Sequence, residues 1–326
     1  MINTEDIKKI LVTGAAGFIG SHLTRRLIED GFQVAITQRK DSSAWRIRDI
    51  LDNVTVCTVD LKNTQDIQAA VGQFKPDVIF HLAAYYAVEH KPAEIPLIID
   101  TNVLGTMNLL EAAYRAQVKL FVNTSSLFVY RDSRERWSEE SPLNPFNLYA
   151  LTKIHSEEAC SFYAAKYGLR SVTFRIFPPY GPADNQRRFI PHIITSLLKG
   201  ESPRMTTGRQ EWDFIYVGDI VDAYVKLLTA FPSFNRHEVF NVGTGQAVSI
   251  RKIGLRLKEI IKTDAALLWG TIEHRKNEAW FVCADVTKAK TLLGWQPRVN
   301  ILEEGLPLTV EWYRQESAIS KKGGIL

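Results

Sequence analysis

Cysteine is scarce in this sequence of 326 residues: Cys57, Cys160 and Cys283 stand far apart, with no CxxC spacing. An odd, scattered set supports neither a disulfide framework nor a zinc site, and it is expected of a chain kept in a reducing compartment, the cytoplasm. Also missing is any apolar run near the ~20 residues that a membrane-spanning helix needs. The first strand is expected to begin near Lys9, which leaves no room for a signal peptide. No cluster of His, Cys, Asp and Glu has metal-ligand spacing, so metal catalysis is not expected. A GxSxG elbow is absent, and Ser126 has no partner arrangement for a serine hydrolase. The 40 lysines and arginines barely exceed the 36 aspartates and glutamates, and they form no long basic run. Nucleic acid and membrane are therefore not expected partners, whereas a small anionic ligand fits the charge. Internal repeats and low-complexity tracts are lacking as well.

What is present is an alternation. Short β-branched runs occur at Ile10–Thr13, Val34–Thr37, Val54–Val59, Asp77–His81, Leu120–Thr124 and Ser171–Ile176. Between most of them lie stretches of helical periodicity, at Ile19–Glu29, Thr64–Phe74, Ile95–Ala116 and Leu148–Tyr167. Near-continuous apolar strands separated by helices predict an α/β protein with a doubly wound parallel sheet covered on both faces. The alternation becomes irregular after FPPYGP at 177–182, and further helices are expected at Asp219–Ala230, Ile250–Ile261 and Leu302–Gln315. The tail Lys321–Leu326 is expected to fray.

TGAAGFIG at 13–20 sets Gly14, Gly17 and Gly20 directly after the first strand and at the mouth of a helix. A tight turn, close approach of backbone to pyrophosphate and helix–sheet packing each exclude a β-carbon. The helix start, with Phe18 and Ile19, offers free N–H groups and a partial positive charge to phosphates. Strand, spacing and helix agree on dinucleotide binding. At the end of the second strand an NAD site wants a carboxylate for the ribose hydroxyls, and an NADP site wants a cation. Gln38 stands there, followed by Arg39, Lys40, Asp41, Ser42 and Ser43. This favours NADP, read by Arg39, Lys40 and Ser42; NAD remains open, with Asp41 as a displaced ribose partner.

Tyr149 and Lys153 are four residues apart on an expected helix, hence on one face. A phenol near pKa 10 exchanges protons poorly at neutral pH, and a neighbouring ammonium moves it towards the working range. The hydroxyl cluster Thr124-Ser125-Ser126 ends the preceding strand, at the carboxyl edge where open α/β sheets bind ligands.

Together these residues resemble an extended short-chain dehydrogenase/reductase of the NAD(P)-dependent nucleotide-sugar epimerase/dehydratase family. The resemblance is carried by TGAAGFIG at 13–20, Asp60-Leu61, HLAA at 81–84, NVLGT at 102–106 and Ser125-Ser126 with Val129-Tyr130. It continues through YALTK at 149–153, RIFPPYGP at 175–182, DFIYVGD at 213–219, FNVGTG at 240–245, Arg275 and LGWQP at 293–297. It implies Ser126 as the catalytic hydroxyl, Tyr149 as proton shuttle, and Lys153 as the residue that also holds the nicotinamide ribose. Asp60 and Leu61 would flank the adenine, and Ala83 and Ala84 would line the same cofactor site. It further implies a Rossmann NAD(P)-binding domain over 1–177 with about 214–243 returning to its sheet. A smaller mixed α/β domain, from 178–213 and 244–326, would bind a nucleotide-diphosphate sugar in the cleft between the two. A homodimer through Ile95–Ala116 and Leu148–Tyr167 is a further implication.

Departures from the family pattern narrow the chemistry. Its dehydratases carry an Asp-Glu pair after the catalytic hydroxyl residue; here Leu127 and Phe128 stand there, and neither can exchange a proton. Pro178 replaces a common Asn, and Trp212 replaces a common phosphate-binding Arg. Arg275 matches the second such Arg. Arg209, Arg187 and Arg188 are candidates for the missing charge, although a surface role suits them as well, and Trp212 could stack on a base or sugar or sit in the core. His81 is expected to support the fourth strand. The expectation is an NADPH-dependent reductase of a nucleotide-linked 4-keto-hexose. The alternatives are a nucleotide-sugar 4-epimerase with tightly bound NAD and, more remotely, a non-enzymatic dinucleotide sensor.

Overall fold

A strand that is apolar at every position must be covered on both faces, and its alternate side chains then feed two separate cores. The computed structural model describes residues 7–276 and 278–321; residues 322–326 of the tail expected to fray lie outside them. Its strands β1 (Lys9–Thr13), β2 (Gln33–Gln38), β3 (Thr55–Thr58), β4 (Val78–His81), β5 (Leu120–Ser126) and β6 (Ser171–Ile176) fall where the β-branched runs stand. Helices α1 (Phe18–Glu29), α2 (Thr64–Phe74), α3 (Ile95–Ile99), α4 (Gly105–Arg115) and α5 (Leu148–Tyr167) lie between them.

The short strands β7 (Pro179–Tyr180), β8 (Glu211–Trp212) and β9 (Ile215–Tyr216) come next, with α6 (Phe189–Leu198) among them. Then α7 (Val217–Ala230) leads into β10 (His237–Val242), which pairs in parallel with β6. The main sheet therefore has seven strands in the order β10-β6-β5-β4-β1-β2-β3, all parallel. Ile10, Val12, Phe80 and Val122 point to one face and pack with Leu23 and Leu27 of α1 and Ile220 and Tyr224 of α7. Leu11, Ile79 and Phe121 point to the other, against Ile67 of α2, Leu109 and Leu110 of α4 and Cys160 of α5. Each of these fully buried apolar side chains contributes about 1.5–3 kcal/mol.

A third core belongs to the later chain. There β8 pairs with β11 (Val248–Ser249) and β12 (Phe281–Val282), and β7 pairs with β9. Ile193 and Ile194 of α6, Ile253 and Leu257 of α8 (Ile250–Ile261), and Val310 of α9 (Leu306–Lys321) fill the space between. No helix among the described residues is long and apolar enough to cross a membrane.

Two helices differ from expectation in the same way. Ile95–Ala116 is broken by a π turn at Asp100–Leu104, and α9 starts at Leu306 after a π turn at Ile301–Gly305. A π turn inserts one residue into the ladder, and the 3.6-residue pattern on either side hides it. At the first, Gly105 meets Leu61, whose Cβ would lie 2.9 Å from a Cβ on the glycine.

Candidate active site

The turn after β1 shows why Gly14 and Gly20 are required. Gly14 has φ +72°, and a Cβ there would sit 2.6 Å from the backbone nitrogen of Ala83. A Cβ on Gly20 would lie 2.1 Å from the carbonyl oxygen of Gly14, and Gly17 N–H donates to that oxygen at 2.9 Å. Gly17 begins α1 without a side-chain cap, so the first N–H groups of the helix point out of the turn unclaimed by a side chain. These features fit a dinucleotide pyrophosphate, which needs open backbone and a helix N-terminus. Ala83 N–H donates to Thr13 Oγ1 at 3.2 Å, which brings HLAA against the loop. His81 lies between Thr13 Oγ1 (2.8 Å from Nδ1) and Thr106 Oγ1 (2.9 Å from Nε2). Burial pulls its pKa down to about 3, so the ring is neutral and ties β4 to α4.

At the end of β2, Gln38 donates its amide to Ser42 O at 3.2 Å and Ser42 N–H donates to Arg39 O at 3.0 Å, closing a turn. Arg39 and Lys40 are exposed on that turn, with no ion pair among the described residues. Leu61 is buried beyond β3, and the half-exposed Asp60 accepts from Lys62 N–H at 3.0 Å.

The carboxyl end of β5 meets the start of α5. Asn147 caps the helix by accepting from Ala150 N–H at 2.8 Å, which sets Tyr149 in its first turn. Tyr149 is 9% exposed, Ser126 8% and Lys153 3%. Lys153 Nζ donates to Thr124 O at 2.7 Å and stands 5.7 Å from the centre of the Tyr149 ring. Tyr86 meets that ring edge-on at 5.0 Å. Burial holds the Tyr149 phenol above its ordinary value, Tyr86 adds to this, and Arg188 opposes it. Lys153, expected to be the cation beside this phenol, lies behind the ring with its ammonium also bonded to the β5 backbone, and Arg188 is a second cation acting on it. Burial draws Lys153 down to about 8, and Glu157 acts in the opposite direction. Directly after Ser126, Leu127 is buried in the core and Phe128 stacks on Phe146 at 5.6 Å. No acid or base stands at either place.

The expected substrate residues separate into two groups. Arg188 and the exposed Arg275 both pull the Tyr86 phenol down, so their charges lie near the ring that packs on Tyr149. Arg209 and Arg187 are exposed and away from any ion pair among the described residues. Trp212 is committed elsewhere: its indole N–H donates to Ala279 O at 2.8 Å and its ring stacks on Phe214 at 6.1 Å. Pro178 is buried, and its carbonyl accepts from Ile215 N–H at 3.0 Å to join β7 and β9.

Sequence reasoning missed three connectors. Asn102, on the π turn, bonds both backbone groups of Tyr85 (2.7 and 3.0 Å) and Thr152 Oγ1 at 3.0 Å, joining the HLAA loop to α5. Its place in NVLGT was the available signal. Asp184 is buried and receives Arg188 at 3.2 Å just before α6, tethering the cation that acts on Tyr86 and Tyr149. Tyr86 had no sequence signal beyond following HLAA.

Residues 10–243 match the family described as the NAD dependent epimerase/dehydratase family. The CDP-abequose synthase of Salmonella typhimurium is 33% identical over 302 residues, covering 89% of this chain and 94% of that protein. The crystal structure of the UDP-glucose 4-epimerase of Thermotoga maritima with UDP-glucose superposes with a TM-score of 0.87 at 30% identity, covering 95% of this chain and 99% of that one. The Thermus thermophilus UDP-glucose 4-epimerase in complex with NAD gives 0.83 at 27% identity, covering 94% and 99%.

Proposed function

The chain belongs to the NAD-dependent epimerase/dehydratase family, and from that premise we propose that it is an NADPH-dependent reductase of a nucleotide-linked 4-keto-hexose. The observation that carries this reading is the isolation of one proton donor: Tyr149 is held protonated in the first turn of α5, and Leu127 and Phe128 after Ser126 offer no second acid or base. Reduction of a ketone needs one hydride and one proton. Dehydration needs an acid and a base more.

Gly14, Gly17, Phe18, Ile19 and Gly20 would hold the pyrophosphate, Asp60 and Leu61 the adenosine side, and Ala83, Ala84 and Lys153 the nicotinamide side. Arg39, Lys40 and Ser42 would read a 2′-phosphate, a role supported by the free cations on that turn and by Gln38 in place of a carboxylate. Bound there, a nicotinamide dinucleotide supplies a hydride for the keto carbon. Tyr149 gives its hydroxyl proton to the oxygen of that carbon, and Ser126 hydrogen-bonds the same oxygen. The resulting phenolate is favoured by the Arg188 guanidinium and by the Lys153 ammonium behind the ring. Arg275 and Arg188, on the wall beside Tyr86, would take the diphosphate, in place of the family Arg that is Trp212 here. Arg209 could reach the nucleotide from the loop before β8. The division into a cofactor part (1–177 with about 214–243) and a substrate part (178–213 with 244–326) belongs to the same proposal, as does dimerisation. The separate third core and the return of β10 to the main sheet support that division.

A second reading is a nucleotide-sugar 4-epimerase with trapped NAD, favoured by the likeness to the two UDP-glucose 4-epimerase structures. Identification of the dinucleotide in the purified protein separates the two. Exchangeable NADP and consumption of NADPH by a keto sugar nucleotide support the reductase. Stoichiometric NAD, with substrate interconverted without added cofactor, refutes it.

A further inference from the structure

Bonded to the residue before Ser126, and one helical turn beyond Lys153, lies an ion pair that no step above uses. Arg175 of β6 and Glu157 of α5 have side chains only 6% and 7% exposed. Arg175 Nη2 donates to Glu157 Oε2 at 2.7 Å and Nε reaches both carboxylate oxygens at 3.2 Å. The remaining Arg175 donor serves Tyr130 Oη at 3.0 Å and the Glu139 carbonyl at 2.9 Å. Tyr130 in turn donates to Asn241 Oδ1 at 2.5 Å on β10. On the other side, Ser125 Oγ donates to Glu157 Oε1. The network thus runs from the last strand of the sheet to the residue between Thr124, which receives Lys153, and Ser126.

A buried pair of this kind is weak as a stability device, because two ions must leave water and an apolar pair of similar volume often serves as well. Its placement supplies a different reason. Glu157 is one helical turn beyond Lys153, so the two side chains share a face of α5. We propose that the Glu157–Arg175 pair is a positioning device for Lys153: the carboxylate keeps the ammonium charged in a buried site, Arg175 limits that pull, and the Ser125 bond fixes the strand end that presents Ser126. This rests on the reading of Ser126, Tyr149 and Lys153 given above.

The groups that bear on Lys153 are few. Tyr149, Glu157 and Cys160 face it from α5, the Thr124 carbonyl from β5, and the neutral His81 from β4. Arg175 reaches it only through Glu157. Opposite shifts follow for the two partners. Glu157→Gln removes the favourable charge and leaves Arg175 unopposed, so Lys153 should release its proton about one to two pH units lower. Arg175→Gln leaves the carboxylate unneutralised, so the release should move up. A purely structural role would weaken folding in both variants and shift neither.

The test is the titration of the Lys153 side chain, followed by NMR in protein carrying ¹³C-labelled lysine, with Lys153→Ala identifying the resonance. Thermal melting checks that each variant is folded. A downward shift in Glu157→Gln together with an upward shift in Arg175→Gln supports the proposal. If Glu157→Gln does not fold, the upward shift in Arg175→Gln is the deciding result. Shifts of the same sign, or no shift in a folded Arg175→Gln, overturn it. The titration needs no substrate, so failure of the reductase reading would show separately, as absence of turnover in the parent enzyme.

Discussion

Lys153 illustrates how one buried side chain ties activity and stability to pH in opposite senses. Its ordinary value is 10.5 and the folded protein lowers it to about 8. Between those values the unfolded chain keeps the proton that the folded chain has released, so stability should rise with pH across that window. Below about pH 8 the folded state bears the cost of burying the ammonium. In the proposed mechanism the ammonium favours the Tyr149 phenolate, so turnover should fall as pH passes about 8. Denaturant melts of the parent and Lys153→Met between pH 7 and about 10 should show the rise in the parent alone, while kcat/KM of the parent declines. Arg39 supports a second prediction at this scale. A charge-assisted bond to phosphate contributes about 1.5–3 kcal/mol, so Arg39→Ala should weaken NADPH binding about tenfold or more and NADH binding hardly at all. Fluorescence titration with each dinucleotide checks this, and equal losses would mean that the turn does not read the 2′-phosphate.

At the scale of elements, the turn between β1 and α1 and the loops around Asp213 are the positions least able to change. Gly14→Ala places a Cβ 2.6 Å from Ala83 N at φ +72°. It should cost about 2 kcal/mol or more and abolish dinucleotide binding, as measured by urea melts and titration. Asp213 is fully buried, yet its carboxylate accepts from Thr244 N–H (2.8 Å), Thr244 Oγ1, Gly245 N–H (2.8 Å) and Ala284 N–H (3.1 Å). Asp213→Ala orphans all of these donors and should destabilise by about 3 kcal/mol or more. Elements of this kind were legible in the sequence where the requirement is local. The glycine spacing at 14, 17 and 20, the four-residue step from Tyr149 to Lys153 and the apolar strands each follow from a short-range rule. The contacts of Asn102 with Thr152 and of Glu157 with Arg175, and the pull of Arg188 on Tyr149, join residues 18 to 50 positions apart, and no periodicity encodes them. The π turn at Asp100–Leu104 was hidden for another reason, since one inserted residue leaves the apolar stripe of α4 intact.

For the whole molecule, the helical layer on the α2–α4–α5 face of the sheet leaves apolar side chains in the open. Ile99, Leu104 and Met107 are 42–43% exposed along α3, the π turn and α4, and on α5 Phe162 is 49% and Tyr167 46% exposed. Tyr114 and Tyr163 meet Tyr167 at 4.9 and 5.2 Å, extending this surface across both helices. Two adjacent helices with such a face could supply half of a four-helix bundle, and a second copy of the chain is the occupant we propose. A stable isologous interface buries on the order of 1,600 Å² in total, which a pair of helices from each copy can supply. Because α5 carries Tyr149 and Lys153 at its start and Phe162 and Tyr167 at its end, the bundle would also hold the reacting groups still. Leu104→Glu with Phe162→Glu should therefore reduce the mass in light scattering from twice 37.0 kDa to one chain. It should also lower kcat more than it raises KM, since the cleft residues are untouched while their helix is released. A parent enzyme that is already monomeric would overturn the dimer, and a double variant that still dimerises would place the interface elsewhere.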